Sequence, residues 1–187
     1  MMLGVNEGER VNFTGIKLMS MFQLQDIAET IFADALERAW PPTNRSTHNR
    51  SLEEQLQDPT FRQRVKVGLA KGLVELVAAH DEHVLSAYLF EGITDLYPQI
   101  ETCSSPEIKT HLLILVSKRS AALYALVTAL DEAFVREAQK LLPLLANQQE
   151  SLLNPIFITE ADVAQHKGYA MLLSSAHVSP LTIWGRD

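Results

Sequence analysis

The sequence predicts an all-α protein, a single-domain bundle of about four or five helices with one long central helix. Three observations lead there. Apolar residues recur at helical spacing over long stretches. Prolines and capping sequences punctuate the chain between those stretches. And 187 residues, 47% of them hydrophobic, can fill one sizeable core.

The elements follow in order, beginning with a flexible N-terminus over about residues 1–12. From 20 to 39, Met21, Leu24, Ile27, Ile31, Ala35 and Ala39 trace one helical face. Pro41-Pro42 stops that helix, because proline has no N–H and turns the preceding residue away from helix. Residues 41–51, polar and turn-rich, read as an exposed loop. Ser51-Leu52-Glu53-Glu54 has the form of a capping box, and Asp58-Pro59 that of an N-cap followed by proline at the first helical position. The helix this opens is expected to run from 59 to about 90, with Gly92 as its stop.

A loop with Pro98 and Cys103 follows, then Ser105-Pro106-Glu107 starts the longest helix, to about 142. Asn154-Pro155 reads as a turn, and 156–158 is too short to promise a strand. Thr159-Glu160-Ala161-Asp162 opens a final helix to about 175, and residues 178–187 form an extended tail. Within 59–90, Val65, Leu69, Leu73 and Leu76 point one way and Val67, Ala70, Val74 and Val77 another, so this helix packs between neighbours. Gly68 and Gly72 permit close approach of another helix there.

Composition excludes several classes. Cys103 is the single cysteine, which rules out a disulfide scaffold. Glu7, Glu9 and Arg10 interrupt any secretory signal. The most apolar stretch carries Lys118 and Arg119 at its centre, where a bilayer penalises both. The expectation is a soluble, cytoplasmic protein without a membrane contact.

Charge is the least ordinary feature. The chain carries −7 overall, yet Arg45, Arg50, Arg62, Arg64, Lys66 and Lys71 cluster ahead of a long segment without lysine or arginine. Within the 59–90 helix this sets cations at the N-terminus, against the helix dipole. An anionic partner would account for them, and so would acids elsewhere in the fold such as Asp26, Glu29, Asp34 or Glu37. A second set, His111, Lys118, Arg136 and Lys140, falls on one stripe of the longest helix, roughly 43 Å long at 1.5 Å per residue. Such a track suits a nucleic-acid backbone, although no aromatics for base stacking lie between the cations.

Candidate chemistry is sparse. His80 and His83 stand at a spacing that can share a metal on a helix, with Glu75, Glu82 or Glu91 nearby. No Glu-x-x-His occurs to complete a helical metal centre, and His80 shares the direction of Leu73, which suits a core histidine. Cys103 has no surrounding nucleophile signature, and no phosphate-loop, dinucleotide or hydrolase motif is present. No catalytic residue and no cofactor is therefore assigned. Trp40, beside Pro41-Pro42, and Trp184 in the tail are the candidate partner-interface anchors, with folding back as lids over the bundle as the alternative for each.

The leading expectation is a non-catalytic helical subunit or adaptor that acts through contacts with other protein subunits in a larger assembly. The alternative is a helical small subunit touching RNA or DNA backbone in a nucleoprotein complex. CRISPR-type effectors are one such setting, by size and helix content alone. A small helical metalloenzyme built on His80 and His83 is the third.

Overall fold

The computed structural model describes residues 21–40, 51–91, 110–141, 151–175 and 179–186. The chain runs α1 (Met21–Ala39), α2 (Leu52–Gln57), α3 (Pro59–His80), β1 (Val84–Glu91), β2 (Thr110–Val116), α4 (Ala121–Leu141), β3 (Pro155–Thr159), α5 (Glu160–Ala164), a 3-10 stretch (Gly168–Ser174) and β4 (Leu181–Gly185). The strands form one mixed sheet in the order β3-β2-β1-β4. β1 is antiparallel to β2 and to β4, while β2 and β3 are parallel and joined through α4. The all-α helical bundle is therefore overturned: this is an α/β fold.

The error has a definite origin. Residues 84–90, expected as the end of one helix, are β1, and 110–116, expected inside the longest helix, are β2. Leu112, Leu113, Ile114 and Val116 are all fully buried, because both faces of this central strand are covered. A strand covered on both faces shows a continuous apolar run and no alternation, which periodicity cannot tell from a buried helix. α3 ends at His80, where Asp81 turns extended and its N–H still bonds Val77 O. The 156–158 segment and the tail also enter the sheet, as β3 and β4. The expected final helix is α5 followed by the 3-10 stretch.

Other local signals match the structure. Ser51 and Glu54 form the capping box of α2, Asp58 caps α3 ahead of Pro59, and Thr159 with Asp162 caps α5. The main core lies on the helix side of the sheet, where Ala87, Leu89, Leu112, Ile114 and Val116 meet Leu69, Leu73, Val77, Leu123, Val127, Leu130 and Phe134. A smaller core on the opposite face joins Phe90, Leu113 and Ile158 to Ala170 and Leu172 of the 3-10 stretch. α3 packs on β1 and β4, α4 packs on β3, and α1 packs on both α3 and α4.

Gly68 and Gly72 set how closely α1 approaches. A Cβ on Gly68 would lie 2.8 Å from Ala35 Cβ and 3.0 Å from its Cα, and one on Gly72 would lie 2.6 Å from Ile31 Cγ2. Among the described residues, no helix is long and apolar enough to cross a membrane.

Candidate docking groove

Along α1, the step of four residues places Asp26, Thr30 and Asp34 on one line and the half-buried Ile27 and Ile31 on the next. Across from them α3 contributes Gly72, Glu75 and Leu76. Because residue 72 has no side chain, the surface dips between the two helices into an open groove of about 610 Å³. Its floor is apolar carbon from Ile27, Ile31 and Leu76, which also lean on the main core. Its rim is anionic on both sides, with Asp26 and Asp34 on α1 and Glu75 on α3, all exposed.

Two of those carboxylates hold cations of their own helix. Arg38 donates to Asp34 at 2.9 Å and Lys71 lies 3.8 Å from Glu75. Exposed pairs of this kind are worth about 0.3–0.5 kcal/mol, so an incoming cation can replace them. Among the described residues Asp26 forms no ion pair; Thr30 Oγ1 donates to its backbone oxygen.

The other flank of α1 is closed. Gln25 donates from its amide to Glu137, Arg136 Nε donates to Gln25 Oε1 at 3.0 Å, and Lys140 Nζ lies 2.7 Å from Glu137 Oε1. The hydrogen bond to Glu137 raises the Lys140 ammonium above its usual range. Of the expected basic stripe, Arg136 thus joins α4 to α1, while Lys140 pairs within α4 with the Glu137 that Gln25 reaches from α1. The stripe itself does not exist as a helix face. His111 is half-buried on β2, its ring 6.1 Å from that of Tyr169, and Lys118 is exposed in the turn between β2 and α4.

The cations that oppose the α3 dipole serve other helices. Arg62 Nη1 donates to Leu56 O at 2.9 Å and to Gln57 O at 3.2 Å, at the C-terminus of α2. Arg64 Nη1 donates to Ala39 O at 3.2 Å, at the C-terminus of α1. Both are therefore placed where a dipole favours positive charge. Their partners are carbonyls, where the sequence reading looked to carboxylates. Lys71 pairs with Glu75 at the groove, and Lys66 is half-buried on the same helix. Arg45, Arg50 and Cys103 lie outside the described residues.

His80 and His83 also part company. His80 is exposed at the end of α3 with Nδ1 bonded to Leu76 O at 2.8 Å, which corrects the core placement expected for it. His83 follows in the turn, with Nδ1 3.0 Å from Ser117 Oγ. Among the described residues no group of three or more His, Cys, Asp or Glu is placed to hold a metal. Trp40 packs edge-on to Phe61 at 5.5 Å, and Trp184 leans on the main core beneath Arg186 at 5.8 Å. Arg186 Nη2 in turn donates to Ala78 O at 3.3 Å, near the end of α3.

Two further carboxylates act within the fold. Asp131 on α4 accepts hydrogen bonds from the Ser151 hydroxyl and from the N–H groups of Leu152 and Leu153, which holds the turn leading into β3. Burial nonetheless pushes its carboxyl above the usual range. Asp162 is lowered to about 2, chiefly by the Thr159 N–H, then by the Thr159 hydroxyl and by Arg119.

No protein-family model, no curated protein and no solved structure matches this chain. From the sequence, Ile27, Ile31 and Leu76 read as core positions, Asp26 and Asp34 as possible charge partners, Gly72 as a point of close approach and Glu75 as a possible metal ligand, without being joined into one site. The signal was there, in Asp26-x-x-x-Thr30-x-x-x-Asp34 running beside Ile27-x-x-x-Ile31.

Proposed function

We propose that the protein is a non-catalytic cytoplasmic subunit that works through contacts with other protein subunits, and that the α1–α3 groove is its docking surface. The observation that supports this reading is an apolar floor of Ile27, Ile31 and Leu76 left open between carboxylates. Apolar carbon kept accessible within a polar rim is the anatomy of a protein interface, whose desolvated centre supplies most of the binding energy. Native mass spectrometry of the protein isolated from its source cells tests it. The wild-type chain is expected at the mass of an assembly with other chains, and Leu76→Ser, checked for folding by circular dichroism, is expected at the mass of the chain alone. A wild-type chain found alone counts against the reading.

A second reading has one supporting observation. Lys118 is exposed in the turn ahead of α4, a helix with no acid in its first turn, while the neighbouring Arg119 is paired with Asp162 at 3.1 Å. Contact with an RNA or DNA backbone within a nucleoprotein complex would use this turn. Lys118→Glu would then strip nucleic acid from the isolated assembly, whereas the docking reading expects no change.

A further inference from the structure

The geometry points to a cationic amphipathic helix of a partner protein as the occupant of the α1–α3 groove. The inference rests on the docking reading above and adds the chemistry of the partner. Both walls of the groove are α-helices, and their backbone N–H and C=O groups are already bonded within each helix. An extended segment laid here would find no main-chain partners, as it would at a sheet edge. A helix satisfies its own backbone and needs only side-chain contact, so it is the form of chain that fits.

The floor and the rim specify its two faces. Ile27, Ile31 and Leu76 call for leucine, isoleucine or methionine at helical spacing. Asp26 and Asp34 stand eight positions apart on α1, roughly 12 Å, with Glu75 opposite them. Lysines or arginines one and two turns apart on the incoming helix reach carboxylates on both walls. Arg38 and Lys71 pair with two of these carboxylates along their own helices, and an incoming cation would displace those exposed pairs.

Other occupants fit less well. Nucleic-acid phosphates and anionic lipid meet a rim that stays net negative even with Arg38 and Lys71 counted, and are disfavoured there. A small molecule gains little from a groove open along its length, because ligand sites enclose most of the ligand surface. A second copy of the chain, also at −7, would bring Asp26, Asp34 and Glu75 against their own equivalents across a two-fold interface.

Fluorescence anisotropy on the full chain tests this. The probe is a labelled peptide of about 18 residues, long enough to form a helix, built of leucine and lysine with leucine on one helical face. A scrambled isomer and a leucine–glutamate peptide of the same pattern are the controls. The patterned lysine peptide is expected to bind and to weaken with salt. In the combined variant Asp26→Lys, Asp34→Lys, Glu75→Lys, whose changes are all exposed, binding should fall at least ~10-fold. In Leu76→Ser it should fall several-fold; should that variant fail to fold, the charge variant alone carries the test.

Equal binding of the scrambled isomer or of the glutamate peptide overturns the proposal, as does unchanged binding by the charge variant. A dimer in sedimentation equilibrium that the charge variant dissociates assigns the groove to a second copy and likewise overturns it. Should the peptide fail while Leu76→Ser still separates the chain from its native assembly, the cationic helix falls and the docking reading stands.

Discussion

Along the flank of α1 that meets α4, polar side chains are used up on one another, while along the flank beside α3 they stand in water above apolar carbon. On the first flank Gln25, Glu137, Arg136 and Lys140 form a closed chain of hydrogen bonds, with Glu137 only 7% exposed. On the second, Asp26 and Asp34 stand across from Glu75 over Ile27, Ile31 and Leu76, and Asp34 and Glu75 pair only with exposed cations of their own helices. One helix thus commits one side to holding the fold and keeps the other available. The glycines of α3 make both conditions compatible, since they let α1 sit low enough to bury Ala28, Phe32 and Ala35 and still leave a trough beside the crossing.

The largest effect that separates these regions is expected at the crossing itself. Gly68→Val should cost about 2–3 kcal/mol in urea unfolding, because its Cβ meets the backbone of Ala35, which cannot move aside. Gly72→Ala should cost less, about 1 kcal/mol, because Ile31 Cγ2, although on a stiff β-branched side chain, borders the open groove and better helix propensity offsets part of the crowding. Equal losses at the two glycines would mean that the trough is not a yielding surface.

Next comes the closed flank. Gln25→Ala removes a partner of the buried Glu137 carboxylate and should cost about 1–2 kcal/mol by the same measurement. A smaller effect, dependent on pH, is expected at Asp162, a carboxylate near the surface that is committed to folding as Glu137 is. Its folded value, about 2, lies below the ordinary 3.8, so the stability it adds is fully present above 3.8 and is lost as pH falls towards 2. Melting temperatures of wild type and Asp162→Asn should therefore differ at neutral pH and converge below pH 2. Smallest of all, Asp26→Lys, Asp34→Lys and Glu75→Lys should each leave stability within about 0.5 kcal/mol of wild type. A larger loss at any of them would move that residue to the folding side of the comparison.

Short-range chemistry was legible in the sequence and long-range pairing was not. Ser51, Asp58 and Thr159 announce helix starts because a cap is decided within four residues. The close crossing at Gly68 and Gly72 could be read because only a missing side chain permits it. The central strand was lost because Leu112 to Val116 is apolar at every position, and what makes it a strand is pairing with residues far along the chain. The cations of α3 misled for a related reason. Arg62 and Arg64 look misplaced on their own helix until the C-termini of α2 and α1 are brought beside them. The groove needed two helices at once, so its acidic line could be counted in the sequence while its floor could not.

Carboxyl-group footprinting of the native assembly against the free chain tests the docking surface most directly. Carbodiimide labelling is expected to fall at Asp26, Asp34 and Glu75 in the assembly and to stay unchanged at the exposed Glu132 and Glu160, which lie away from the groove. Labelling of Asp26, Asp34 and Glu75 to the same extent in both states would contradict the assignment of the groove as the surface through which this protein acts.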